Sequence, residues 1–153
     1  MVALQRVDET VYLEAFGSAD REGEEPLTPD GVFRFPGFAE VVVARVAEVL
    51  DREGSVDLEE PLAAYLPELD ERLGSTTLAQ LLSHRAGLDD ANPRDSLWSE
   101  ILDALNDRAV FTEPGAVHSY SRYSYPLAVR ALERAAGEDV AGLAARKIGR
   151  AHV

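Results

Sequence analysis

Few side chains in this sequence are equipped for catalysis, and the gaps among them are as informative as the residues present. His118 sits close to Ser119, Ser121 and Ser124. An imidazole within reach of a serine hydroxyl can act as its general base in acyl transfer. That adjacency is the less favoured reading of the segment. His84, in the run Leu81-Leu82-Ser83-His84, reads as a scaffold histidine whose ring is satisfied locally. These histidines share no ligand spacing and the chain has no cysteine. Neither a zinc site, a thiolate nucleophile nor a disulfide is therefore expected, and no cofactor is implied. The only lysine is Lys147, so no serine has a lysine amine one helical turn after it. Tyr120-Ser121-Arg122 places a phenol, a hydroxyl and a guanidinium in succession, shortly after the turn at Pro114-Gly115.

The elements expected to carry these groups are a hairpin followed by helices. Val2 to Arg6 and Thr10 to Phe16 are β-prone and separated by Val7-Asp8-Glu9. Gly17 to Gly31, with Pro26 and Pro29, reads as a loop. Phe38 to Arg52 reads as a helix apolar on more than one face (Val41, Val42, Val43, Val46, Val49, Leu50), closed by Gly54. Such a helix is normally buried on several sides. Val56 to Leu69 is a compact connection, and Thr77 is a good N-cap for a short helix to His84, with Gly87 closing it. Asp95 or Ser96 starts a further helix with Trp98, Leu102 and Leu105 as core. The last two helices are expected from Tyr123 to Ala136 and from Val140 towards Ala145. Two strands alone are marginal in water, so further strands are expected from beyond the chain's end.

Composition narrows the partners. The chain has 153 residues and a formal net charge of −13. That charge argues against nucleic acid and anionic membrane surfaces, both of which need a basic patch. No apolar run is long enough to span a membrane. Met1 to Arg6 has no apolar secretion-signal core; localisation is left open, cytoplasmic as the chain stands. The tail Lys147 to Val153 matches one reading frame of a common sequencing-adapter oligonucleotide. The expectation is therefore a partial domain over residues 1–146, with 147–153 set apart as read-through.

Several strings occur in one order. They are Val11-Tyr12-Leu13-Glu14-Ala15-Phe16-Gly17, Leu27-Thr28-Pro29-Asp30 with Phe33-Arg34, and Gly54-Ser55-Val56-Asp57-Leu58. Tyr65-Leu66-Pro67-Glu68-Leu69, then Thr77 through Leu88, and Pro114-Gly115 before Tyr120-Ser121 complete the series. Together they resemble the β-lactamase-related serine hydrolases: class C β-lactamases, D-alanyl-D-alanine carboxypeptidases, penicillin-binding proteins and related esterases. The resemblance covers about residues 1–145, the front half of such a domain. It implies an α/β (α+β) fold of the β-lactamase/transpeptidase type, here a hairpin plus a mostly helical region with an incomplete sheet.

The resemblance also implies a site. Relatives use a serine and, one helical turn later, a lysine that takes the hydroxyl proton. Here Gly37 falls on the serine position and Glu40 on the lysine position. In the second motif Tyr120 is retained and Arg122 replaces asparagine. The third motif would lie beyond the chain. Tyr120 is thus the only retained catalytic residue, with Gly37, Glu40 and Arg122 as degenerate positions. An ion pair between Glu40 and Arg122 is expected to fill the former site. The functional expectation is a catalytically inactive, truncated relative whose cleft takes a peptide or an acylated small molecule. The alternatives are an active esterase or peptidase with a substituted nucleophile, or a gene fragment without a role.

Overall fold

The computed structural model describes residues 1–33, 36–90, 105 and 110–148. The expected helix with Trp98 and Leu102 lies outside the described residues, as do Arg34 and the tail from Gly149 onward; Leu105 is described, helical and buried. The chain divides into two units, Met1–Phe35 and Pro36–Val153.

The first unit holds the expected hairpin. Strands β1 (Val2–Arg6) and β2 (Glu9–Glu14) pair antiparallel, with Val2 opposite Glu14 and Arg6 opposite Glu9. The second strand starts one residue earlier and stops two residues sooner than expected. Val7 turns the chain in the left-handed region (φ 52°), an uncommon conformation for a β-branched residue. The register shifts between Leu4 and Gln5, and every residue of both strands is exposed. The loop that follows is tied by Leu27 N–H to Gly17 O (2.9 Å) and by Asp20 Oδ1, which accepts from Gly23 N–H (2.9 Å).

The second unit is helical. Helix α1 (Pro36–Arg52) starts on a proline, whose fixed φ and missing N–H suit the first helical position. Gly54, at φ 71°, reverses the chain after it. Val43, Val46, Ala47 and Leu50 recur at helical spacing and form its buried stripe. One stripe is buried, where such a pattern is normally buried on several sides, and Phe38 (62% accessible) and Val41 (61%) lie open to solvent.

A single 3-10 turn at Leu62–Ala64 leads to a helix the sequence pattern did not reveal, α2 (Glu71–Gly74). Asp70 caps it by accepting from Leu73 N–H at 2.7 Å. Helix α3 (Leu78–Leu82) has the expected Thr77 cap, completed as a capping box by Gln80. It ends before His84, which sits at φ 53° and cannot continue a right-handed helix. Helix α4 (Ser124–Ala136) closes at left-handed Gly137 (φ 68°). Helix α5 (Val140–Lys147), capped by Asp139, runs two residues further than expected, and Lys147 pairs with Glu53.

The core joins α1, α3, α4 and α5 through Val46, Leu50, Leu78, Leu81, Leu127, Leu132 and Leu143, with Leu62, Leu66 and Leu73 closing its far side. Each fully buried leucine contributes roughly 1.5–3 kcal/mol through removal of apolar surface from water. None of the described helices is long and apolar enough to cross a membrane.

Candidate active-site cleft

A cleft of about 440 Å³ opens between the first turns of α1 and the start of α4. Its lining includes Gly37, Glu40, Tyr120 and Arg122, together with Val43, Tyr125 and Val129. The four positions singled out from the sequence therefore meet in one cavity, across some eighty residues of chain.

On the α1 side, Gly37 lies in the first turn, and a Cβ built on it would meet nothing within 4 Å. Glu40, one turn further, points its carboxylate at the opposite wall. Its Oε1 accepts from the Tyr120 hydroxyl at 3.3 Å, long for an O–H···O bond. Its Oε2 lies 3.9 Å from His84 Nε2.

The opposite wall is built by the loop after α3 and the segment before α4. Gly87 (φ 72°) lets the two cross closely: a Cβ there would sit 2.4 Å from Thr112 O. The crossing is sealed by Phe111 N–H to Gly87 O (2.9 Å), Ser119 N–H to His84 O (2.8 Å) and the bridge of Leu88 with Val110. The His84 ring packs against Tyr120 (centroids 4.6 Å), Tyr125 (5.4 Å) and His118 (6.1 Å). Ser121 N–H donates to His84 Nδ1 at 3.4 Å, which leaves Nε2 to carry the proton that faces Glu40. Burial pushes the imidazole below its ordinary pKa, against the opposing pull of Glu40. Partial burial, reinforced by Glu40, pushes the Tyr120 phenol above its ordinary value, and Tyr125 is raised by the same two causes.

The expected Glu40–Arg122 ion pair is replaced by two separate engagements. Asp90 Oδ1 accepts from both the Arg122 backbone N–H (2.9 Å) and Nε (3.0 Å), and Oδ2 accepts from the guanidinium at 3.3 Å. The bond from the Arg122 side chain holds the Asp90 carboxyl below its usual range. A carboxylate already aligned by a backbone N–H on the same residue is the better-organised partner for that guanidinium. Glu40 is left to Tyr120 and His84. Asp90 and the cleft-side position of His84 were missed from sequence. The available signal was Arg122 itself, whose guanidinium favours a carboxylate partner.

Of the three serines near His118, Ser119 is partly exposed, and the other two are not. Ser121 Oγ donates to Asp89 O (3.0 Å) and accepts from Tyr123 N–H (3.2 Å), and both Ser121 and Ser124 are buried.

The family model described as Beta-lactamase matches residues 1–152. The chain belongs to the beta-lactamase family. It is 29% identical to the esterase EstB of Burkholderia gladioli over 163 residues, covering 89% of this chain and 40% of that one. Among solved structures it is similar to the class C beta-lactamase of Rhodobacter sphaeroides (TM-score 0.70, 25% identity, 86% of this chain and 38% of that one). It is likewise similar to the D-amino acid amidase of Ochrobactrum anthropi SV3, complexed with L-phenylalanine (TM-score 0.71, 27% identity, 87% of this chain and 39% of that one). The chain thus spans about two fifths of the length of these relatives. The expected fold of the β-lactamase/transpeptidase type is borne out, with a two-stranded sheet and five helices among the described residues.

Proposed function

We propose that this chain is a member of the family that binds a small molecule in the cleft and does not form an acyl-enzyme. The observation that carries this reading is the first turn of α1. Gly37 offers no oxygen, and Glu40, one turn later, faces the phenol that relatives use for proton transfer. A carboxylate at that position can accept a proton, but Gly37 has no hydroxyl from which to take one. The two nearest serines of the opposite wall, Ser121 and Ser124, are buried, which weighs against a substituted nucleophile. The amidase structure with bound L-phenylalanine supports a small molecule as the occupant.

Labelling with a fluorophosphonate or a penicillin probe, read by intact-protein mass spectrometry, tests this. No adduct is expected. An adduct on any residue of the cleft would overturn the reading and restore the esterase or peptidase alternative. The triple variant G37S/E40K/R122N should gain a labelled fraction, because a serine side chain meets open space at position 37. A folded but inert triple variant would count against Gly37 as the nucleophile position.

A further inference from the structure

The replacement of a lysine position by Glu40 leaves the cleft with an unbalanced negative charge. Among the described residues of its lining, only Glu40 and Arg122 carry a formal charge. Arg122 is held by the two oxygens of Asp90, so that pair is electrically neutral towards an incoming ligand. His84 is pushed towards its neutral form by burial and adds no positive charge near neutral pH. Glu40 keeps about 29% of its side chain accessible, and its one close bond, from the Tyr120 hydroxyl, is long. Its remaining lone pairs are available to a donor from the cavity.

The rest of the lining suits a cation with an apolar body. Tyr120 is half exposed, and Tyr125 lines the cleft beside it with its hydroxyl donated to Leu82 O at 3.0 Å. With that hydroxyl turned away, its ring contributes surface rather than a donor. Val43, Pro126 and Val129 supply apolar wall. A carboxylate beside two phenol rings attracts an ammonium group through both its charge and the negative faces of the rings. A cavity of about 440 Å³ has room for an aryl-alkyl substituent behind that ammonium.

We propose that the cleft binds a primary amine with an apolar substituent, its ammonium on Glu40 and its body against Val43, Tyr125 and Val129. This rests on the non-acylating reading of the cleft and narrows its ligand class. An anion is disfavoured, because the uncompensated charge among the described lining residues is negative.

Isothermal titration of the whole chain with 2-phenylethylamine, 2-phenylethanol and 3-phenylpropionate at fixed ionic strength tests it. The amine should bind about tenfold or more tighter than the alcohol, the difference expected for one charge-assisted contact. The carboxylate should bind most weakly. In E40Q, which keeps the shape and an acceptor for Tyr120, amine affinity should fall to that of the alcohol, while alcohol affinity stays the same. Exposed Glu71 on α2 serves as the control for general attraction to an acidic surface. Amine affinity unchanged in E40Q, or lowered equally in E71Q, would overturn the proposal. So would an alcohol that binds as well as the amine, or no binding by any of the three. Each of these results leaves the covalent-probe result untouched, so failure of the amine site is distinguishable from failure of the non-acylating reading.

Discussion

The two walls of the cleft differ in what holds them. The α1 wall presents Gly37, Phe38 and Ala39 as exposed residues of a helix's first turn, with open space around Gly37. The opposite wall is cross-tied: His84, Gly87 and Asp90 are each bonded to residues more than 20 positions away. On the first wall, an added side chain at Gly37 meets no described atom. The second wall positions Tyr120 through its backbone, and there a side chain at Gly87 collides with Thr112 O.

The contrast is tested hardest at Gly87. A Cβ there meets Thr112 O at 2.4 Å, and the backbone stands at φ 72°, a region in which a side chain is strained. The carbonyl of Gly87 also accepts from Phe111, so the strand-like crossing cannot move aside without losing that bond. Gly87→Ala should cost about 3 kcal/mol, from strain together with overpacking, measured by chemical denaturation. A loss below about 1 kcal/mol would mean that the second wall yields as easily as the first.

The second wall should also respond to acid, in two windows. The folded state lowers the pKa of His84, mainly by burial. Above its ordinary value of 6.5 the group is neutral in both states and the fold keeps its full stability. As the pH falls below 6.5, the unfolded chain takes up the proton first, and stability declines until the folded imidazole is also protonated. Asp90 is lowered by its bonds to Arg122, so its contribution holds above the ordinary carboxylate value of 3.8 and disappears as the pH falls through its folded value. Thermal melts from pH 8 to pH 3 should therefore weaken first below 6.5 and again below 3.8. His84→Gln should flatten the upper decline alone and Asp90→Asn the lower one alone. Identical profiles for both variants would remove the two side chains as separate contributors.

The legible parts of the fold were those governed by local chemistry. The Thr77 cap, the reversal at Gly54 and the Gly137 terminus are all set by residues a few positions apart, and each was visible in the pattern. Helix α2 escaped because four residues carry no periodicity; its cap at Asp70 was the sole signal. Resemblance identified Gly37, Glu40, Tyr120 and Arg122, which meet in one cavity. Their pairing was not legible, because Asp90 reaches Arg122 only after the loop following α3 has folded back against the segment before α4. Equally, the open face of α1 at Phe38 and Val41 follows from what packs beside the helix, which its own sequence does not encode.

The smallest effect belongs to Gly37. Its position in the first turn of α1, and the open space where a Cβ would stand, mean that neither backbone conformation nor packing calls for glycine. Alanine there loses less conformational freedom on folding, so Gly37→Ala should leave stability unchanged or raise it by up to about 1 kcal/mol. Chemical denaturation in parallel with Gly87→Ala gives the comparison directly: one glycine lining the cleft and one at the crossing that supports its opposite wall, the first interchangeable and the second not. A loss of more than about 1 kcal/mol at Gly37 would reverse the argument. It would mean that the chain needs glycine at the nucleophile position for its fold. The missing hydroxyl would then be the consequence of a structural requirement, and the first wall would be as constrained as the second.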